Sequence, residues 1–221
     1  MLTQATSDRG AYLRWLLVAG WLLVVISASG PWVSHKTAAL GLSGADMAEF
    51  VKFLPQVQNG SLPIQRLVFY LPVIAVTVGA AFLVGPGAAR YARSLRLSAL
   101  LLAWLCSLQL LPPAWSPASL MTKEFRLQAA CLAASWLLLA CCSLMAQLPL
   151  RLRGSLTAVL ALLSSALPAW QTWVVMPAIS ATYGRSPALG WGFAACHAGL
   201  LVAALASASI AVTSAGRRAR A

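Results

Sequence analysis

Apolar residues in this chain come in long, nearly unbroken runs separated by short polar connections. Six runs stand out, at about 12–32, 67–86, 95–115, 127–148, 155–177 and 187–212. Crossing about 30 Å of hydrocarbon takes roughly 20 apolar residues, and a backbone in lipid must satisfy its own polar groups, so each run predicts a transmembrane helix. Membrane-crossing strands would need short segments of alternating polarity, and none is present. The pattern predicts an all-α polytopic membrane bundle of six helices, forming a single domain over residues 1–221. The first run also fits a secretory signal, with Arg9 and Arg14 ahead of it and Ser27-Ala28-Ser29 resembling a cleavage site. Retained, it is the first of the six helices.

One stretch between the runs has a different period. In LSGADMAEFVKFLP, Met47, Phe50, Val51 and Leu54 recur at i, i+3, i+4 and i+7, the spacing of one helical face. Ser43 three residues before Asp46 is a start signal and Pro55 a stop. Glu49 and Lys52 are spaced to pair at i, i+3. A short amphipathic helix over about 44–54 follows, packed against the bundle or lying as a lid on it.

Composition confirms the solvent and adds an orientation. The 221 residues are 60% hydrophobic and 9% charged, with mean hydropathy +0.80, against roughly 25% charged in a soluble domain. The net charge of +12 would suggest nucleic acid in a soluble protein. Here the basic residues fall between apolar runs and form no continuous patch, so no nucleic-acid partner is expected. Short loops rich in Lys and Arg face the cytoplasm. With the N-terminus inside, the inner segments hold Arg9, Arg14, Arg90, Arg93, Arg96, Arg151, Arg153, Arg217, Arg218 and Arg220. The outer ones hold Lys36, Lys52, Arg66, Lys123, Arg126 and Arg185, together with Asp46, Glu49 and Glu124. This predicts an N-in/C-in topology, a multi-pass place in the cell membrane (a bacterial inner or plasma membrane), and an outer position for the loop 33–66.

Three sequence echoes agree with that orientation. GPW at 30–32, LLPPAW at 110–115 and ALPAW at 166–170 each put proline just before tryptophan at the end of an apolar run. Proline turns the chain and tryptophan prefers the headgroup level. Trp32, Trp115 and Trp170, with Trp173, are therefore expected as anchors at the outer interface. Pro168 and Pro177 lie within the fifth run, and are read either as plain packing features of one helix or as a break near Pro168 with a re-entrant WQTWVVMPAI segment.

Candidate chemistry is sparse. His197 is the one side chain inside an apolar run that could titrate near neutral pH. Counted from residue 187 it lies about 15 Å deep, near the midplane. It is expected either to bond to a neighbouring helix, with Gln109, Ser135, Ser164 and Ser165 as partners, or to ligate a haem or a chlorophyll-type pigment, relay protons or bind a substrate; no other cofactor is expected. Ala195, Gly199, Ala203, Ser207 and Ala211 recur every fourth position around it, a seam for close helix packing or partner docking. The five cysteines, Cys106, Cys131, Cys141, Cys142 and Cys196, form no CxxC pair and read as free apolar side chains. No metal site is expected. GLSG at 41–44, with His197-Ala198-Gly199 on the sixth helix, is similar to the motifs of rhomboid intramembrane proteases. In that family the serine sits on a membrane helix at the histidine's depth, whereas Ser43 falls in an outer loop.

The expectation for function is a non-enzymatic membrane subunit or accessory component of a larger complex, with the lipid bilayer and membrane-protein subunits as partners. A small-solute transporter or substrate-binding component is the alternative; size, helix count and long outer loop are similar to the S-components of vitamin uptake systems. A pigment- or haem-binding protein using His197 is the third.

Overall fold

The computed structural model of the chain describes residues 2–35, 40–83, 91–112, 115–184 and 186–218. Lys36, Arg90, Arg185 and Arg220, four of the residues that set the predicted orientation, lie outside them, as do 86–90 of the second connection. The described chain is mostly helical. In order it forms α1 (Leu2–Ala28), β1 (Val33–His35), β2 (Leu40–Leu42), α2 (Gly44–Phe50), α3 (Pro55–Gln58), α4 (Leu71–Leu83), α5 (Arg93–Ser107), α6 (Pro117–Leu120), α7 (Arg126–Ala140), α8 (Cys142–Met145), α9 (Leu150–Tyr183), β3 (Ala188–Leu189) and α10 (Trp191–Arg218). Among the described residues four helical segments are long and apolar enough to cross a membrane: Gly10–Ala28, Arg66–Leu83, Leu150–Tyr183 and Trp191–Ser214. The third and fourth runs fold differently. Each gives a 15-residue α-helix, α5 continuing into a 3-10 turn at Leu108–Leu110 and α7 interrupted at Cys141 before α8.

Small residues set the centre of the bundle. α10 lies between α1 and α9 and antiparallel to both. A Cβ at Gly20 would stand 2.9 Å from the Ala203 nitrogen, and one at Gly154 would stand 2.8 Å from the Ser207 carbonyl oxygen. Gly199, Ala203, Ser207 and Ala211 are buried against those two glycines, so the every-fourth-residue seam is consumed inside the chain. Without a hydrophobic drive between helices in lipid, such close backbone approach supplies dispersion contacts that larger residues would prevent. α4 packs beside this trio, with Trp21 of α1 seated over Gly79 and α5 and α7 on its far side.

The fifth run folds without a break. α9 is one continuous 34-residue helix with Pro168 and Pro177 inside it, about 51 Å long. Each proline frees one carbonyl, but breaking the helix would expose many more backbone groups, and packing against α10 and α4 holds it in line. Because Gly154 faces Ser207 and Ala211, the start of α10 at Trp191 meets α9 near residues 170–174. The last ten or so residues of α9 therefore rise about 15 Å past α10. They carry a cap on which 43–70 folds, and Phe50 stacks on Tyr183 at 6.1 Å. This is the cap end; Arg14, Arg153 and the start of α9 mark the opposite, Arg end.

All-α also needs a small amendment. β1 pairs antiparallel with β2 and with β3, in the order β2-β1-β3. Two or three residues per strand carry too little alternation to be seen against the apolar runs.

Candidate functional site

His197 sits in an aromatic slot at the cap end of the α1–α9–α10 trio. α10 begins at Trp191, so the histidine is six residues, about 9 Å of rise, from that end, shallower than the sequence count from residue 187. Its ring lies 4.1 Å from that of Phe193 and 5.5 Å from that of Trp32, centroid to centroid. Nδ1 is 2.7 Å from the Phe193 carbonyl on its own helix, which fixes the tautomer with the proton on Nδ1. Nε2 is then an acceptor, and it is buried without a hydrogen-bond partner. The Ser165 backbone lies near the ring, yet meets Nε2 in no hydrogen-bonding geometry. Trp32 Nε1, Ser164 Oγ and Thr172 Oγ1 are likewise buried and unpartnered. None of Gln109, Ser135, Ser164 or Ser165 donates to the histidine through its side chain.

The four expected interface tryptophans divide. Trp115, Trp170 and Trp173 are exposed, Trp170 at 61%. Trp32 is 1% exposed and cannot anchor in a headgroup region. The sheet is the reason. Trp32 N–H donates to the Leu42 carbonyl at 2.7 Å, Gly190 N–H donates to the Trp32 carbonyl at 2.8 Å, and the edge-to-face contact with Phe193 holds the ring inward. Gly44 completes the slot, since a Cβ there would meet the Trp32 ring at 2.9 Å.

Above the slot, the amphipathic stretch folds as α2 and a 3-10 turn at Val51–Phe53. Ser43 caps the helix. Its Oγ accepts from the Asp46 N–H and donates to the Asp46 carboxylate at 2.7 Å, while that carboxylate accepts from the Ser43 N–H at 2.9 Å. The serine of the GLSG motif is thus spent on capping. Met47, Val51 and Leu54 are buried in the core and Phe50 packs against it. Pro55 ends this segment and opens the single turn α3.

A charge network pins the cap. Lys52 Nζ lies 2.8 Å from Glu49 and 3.1 Å from Glu124. Arg66 lies 3.0 Å from Glu124, donates to the Gln128 amide oxygen and sits 4.7 Å over the Phe125 ring. Gln128 in turn donates to the Leu110 carbonyl at 2.7 Å, and Tyr70 donates to Glu49 at 3.3 Å. Half of the chain's four carboxylates converge here on two cations, joining α2 and its 3-10 extension, the 3-10 turn Arg66–Tyr70 that leads into α4, and the start of α7. Burial pushes the Lys52 ammonium down, but its hydrogen bonds to Glu49 and Glu124 outweigh that, and its pKa is held above the usual 10.5. A folded pKa above the unfolded one gives stability that is complete below about 10.5 and erodes as pH climbs through the folded value. The gap in stability between wild type and Lys52→Met, about 0.5–1 kcal/mol for a partly exposed group, is therefore expected to stay constant from about pH 8 to 10 and close above. Denaturation curves across that range measure it, and a gap that widens with pH would contradict the pairing.

Sequence reading identified the Glu49–Lys52 pair and missed Arg66, Glu124 and Gln128, which are distant in sequence. Their only signal was scarcity, since acidic residues are few and three of the four lie in the outer segments. It also missed the half-exposed Trp104–Trp136 pair, 6.1 Å apart, and the burial of Arg153. Cys106, Cys131, Cys141, Cys142 and Cys196 are free thiols, and no group of three or more His, Cys, Asp or Glu side chains could hold a metal among the described residues. No protein-family model, curated protein or solved structure matches the chain.

Proposed function

We propose that this chain is a non-enzymatic subunit of a larger membrane complex, crossing the bilayer six times with the Arg end and both termini in the cytoplasm. Six crossings are compatible with the lengths of the two shorter units. α5 with its 3-10 turn reaches about 28 Å and α7 through α8 about 30 Å, against a hydrocarbon thickness of about 30 Å. The orientation rests on the basic residues gathered at the Arg end.

The observation that carries the subunit reading is the Trp104–Trp136 pair. These rings lie against each other and remain 42% and 39% exposed. Gln128, whose side chain ties α7 to Leu110, marks the cap end of this helix pair; Trp136 is eight residues further, about 12 Å below it. A tryptophan anchored in lipid keeps its N–H in headgroup water. Here Trp136 Nε1 donates to Ser107 Oγ at 2.9 Å, and that hydroxyl donates to the Trp104 carbonyl at 2.6 Å. The pair is an aromatic surface in the apolar band with the Trp136 N–H satisfied internally, the kind of feature that anchors protein interfaces. The seam on α10, by contrast, is already used within the chain and is not the docking face.

Purification of the full chain from its native membranes in mild detergent tests this. A stoichiometric assembly with at least one other polypeptide is expected, weakened at least tenfold by the double substitution Trp104→Leu/Trp136→Leu, which keeps the face apolar. A chain that runs alone, with wild type and double variant indistinguishable, would overturn the reading.

A further inference from the structure

Arg153 is a cation enclosed without an anion among the described residues. It is 4% exposed, and its Nε and Nη1 are buried with no hydrogen-bond partner. It lines a partly open cavity of about 30 Å3 at the Arg end, between α9, α10, α4 and Tyr91. Ser207 Oγ of α10, 2% exposed and also unpartnered, lines the same cavity. Thr157 Oγ1 is already committed to the Arg153 carbonyl at 2.8 Å, and Tyr91 OH to the Arg14 carbonyl at 3.0 Å. The remaining wall is apolar, including Leu17, Phe82 and Leu83.

Among the described side chains no carboxylate neutralises this guanidinium. Asp46, Glu49 and Glu124 are engaged at the cap end. An ion buried without a counter-charge costs several kcal/mol unless something pairs with it. Position adds to the demand, since Arg153 is the fourth residue of α9, within the helix's positive N-terminal turn. A planar guanidinium matches two oxygens of one phosphate, and a hydroxyl beside it donates to a third. A single water needs about 10–15 Å3 of such space, so the cavity admits two or three waters, or two or three oxygens of one phosphate whose remainder stays at the open mouth.

We infer that Arg153 and Ser207 form a binding site for a single phosphate group at the Arg end of the bundle. The phosphate comes either from the headgroup of an anionic lipid or from free inorganic phosphate; both present the same oxygens to the guanidinium. This site is independent of the Trp104–Trp136 surface, and its failure would leave the subunit reading untouched.

The test uses the full chain, delipidated in a phosphate-free maltoside detergent, with inorganic phosphate and phosphatidylglycerol titrated separately. Thermal unfolding reports stabilisation, and native mass spectrometry counts retained phosphatidylglycerol. Wild type is expected to gain melting temperature with at least one probe. Arg153→Met is expected to bind that probe at least tenfold more weakly, while melting no lower than wild type in the probe-free state, because it removes an unpaired buried charge. Ser207→Ala is expected to weaken binding less. A shift with phosphatidylglycerol and retention of one lipid, but no effect of phosphate, identifies a lipid site; a shift with inorganic phosphate identifies a free-anion site. No shift with either, or equal shifts in wild type and Arg153→Met, overturns the inference. So does an Arg153→Met variant that melts far below wild type without any probe, since the guanidinium would then be satisfied by the protein itself.

Discussion

Trp32→Ala lowers the stability of the folded chain by about 3–5 kcal/mol, the range for deleting a fully buried large aromatic side chain. The indole is 1% exposed and fills the space between α10 and the cap, against Phe193, His197 and Gly44. Nothing nearby can collapse into the void. α10 is fixed by its backbone contacts with α1, and the strand beside Trp32 is fixed by hydrogen bonds to both of its neighbours. The loss therefore appears as a cavity, and also frees His197, whose ring rests on the indole. Denaturant unfolding in detergent, followed by circular dichroism, measures the effect. Trp115→Ala and Trp170→Ala serve as controls, since both rings are exposed and surface changes cost within about 0.5 kcal/mol. Equal, small effects at all three positions would mean that the GPW tryptophan is an interface anchor after all.

That contrast shows where the sequence could and could not be read. The three Pro-Trp echoes carry the same local signal, and local chemistry assigns them one role. What separates Trp32 is β1, which pairs with residues more than 150 positions away at β3; no local pattern reports that pairing. The same holds for Arg66, Glu124 and Gln128. Helix α2 was legible because everything that makes it is local: the Ser43–Asp46 reciprocal cap, the apolar face and the i, i+3 ion pair all fall within twelve residues. The long helices were legible because lipid leaves the backbone so few alternatives. Pro168 was ambiguous for the complementary reason. A proline rule describes an isolated helix, whereas α9 is clamped between α10 and α4 and stays continuous. The small-residue ladder on α10 was visible as a period, but whether it faced inward or toward a partner depended on finding Gly20 and Gly154 opposite it.

Those glycines give the second large effect. Gly199→Val is expected to cost about 3 kcal/mol or more, at the upper end for overpacking. A Cβ at position 199 would stand 2.7 Å from the Gly20 carbonyl oxygen and 3.0 Å from the Val24 nitrogen. Both are backbone atoms, so no rotamer change relieves the contact, and α1 and α10 must separate along the seam. Gly20→Val should behave alike, because its Cβ would meet the Ala203 nitrogen and the Gly199 oxygen at 2.9 Å. Separation forfeits dispersion contacts at Ala203 and Ala206 as well, and lipid offers little to replace close interhelical packing. The expected signature is graded: Gly199→Ala costs roughly half as much as Gly199→Val, because one carbon demands a smaller displacement. Ala198→Val, on the exposed face one residue earlier, supplies the control for β-branching in the same helix. Should Gly199→Val unfold no more readily than Ala198→Val, the seam would not be the contact that holds the trio together. The central placement of α10, on which both the aromatic slot at His197 and the cavity at Arg153 depend, would then fall with it.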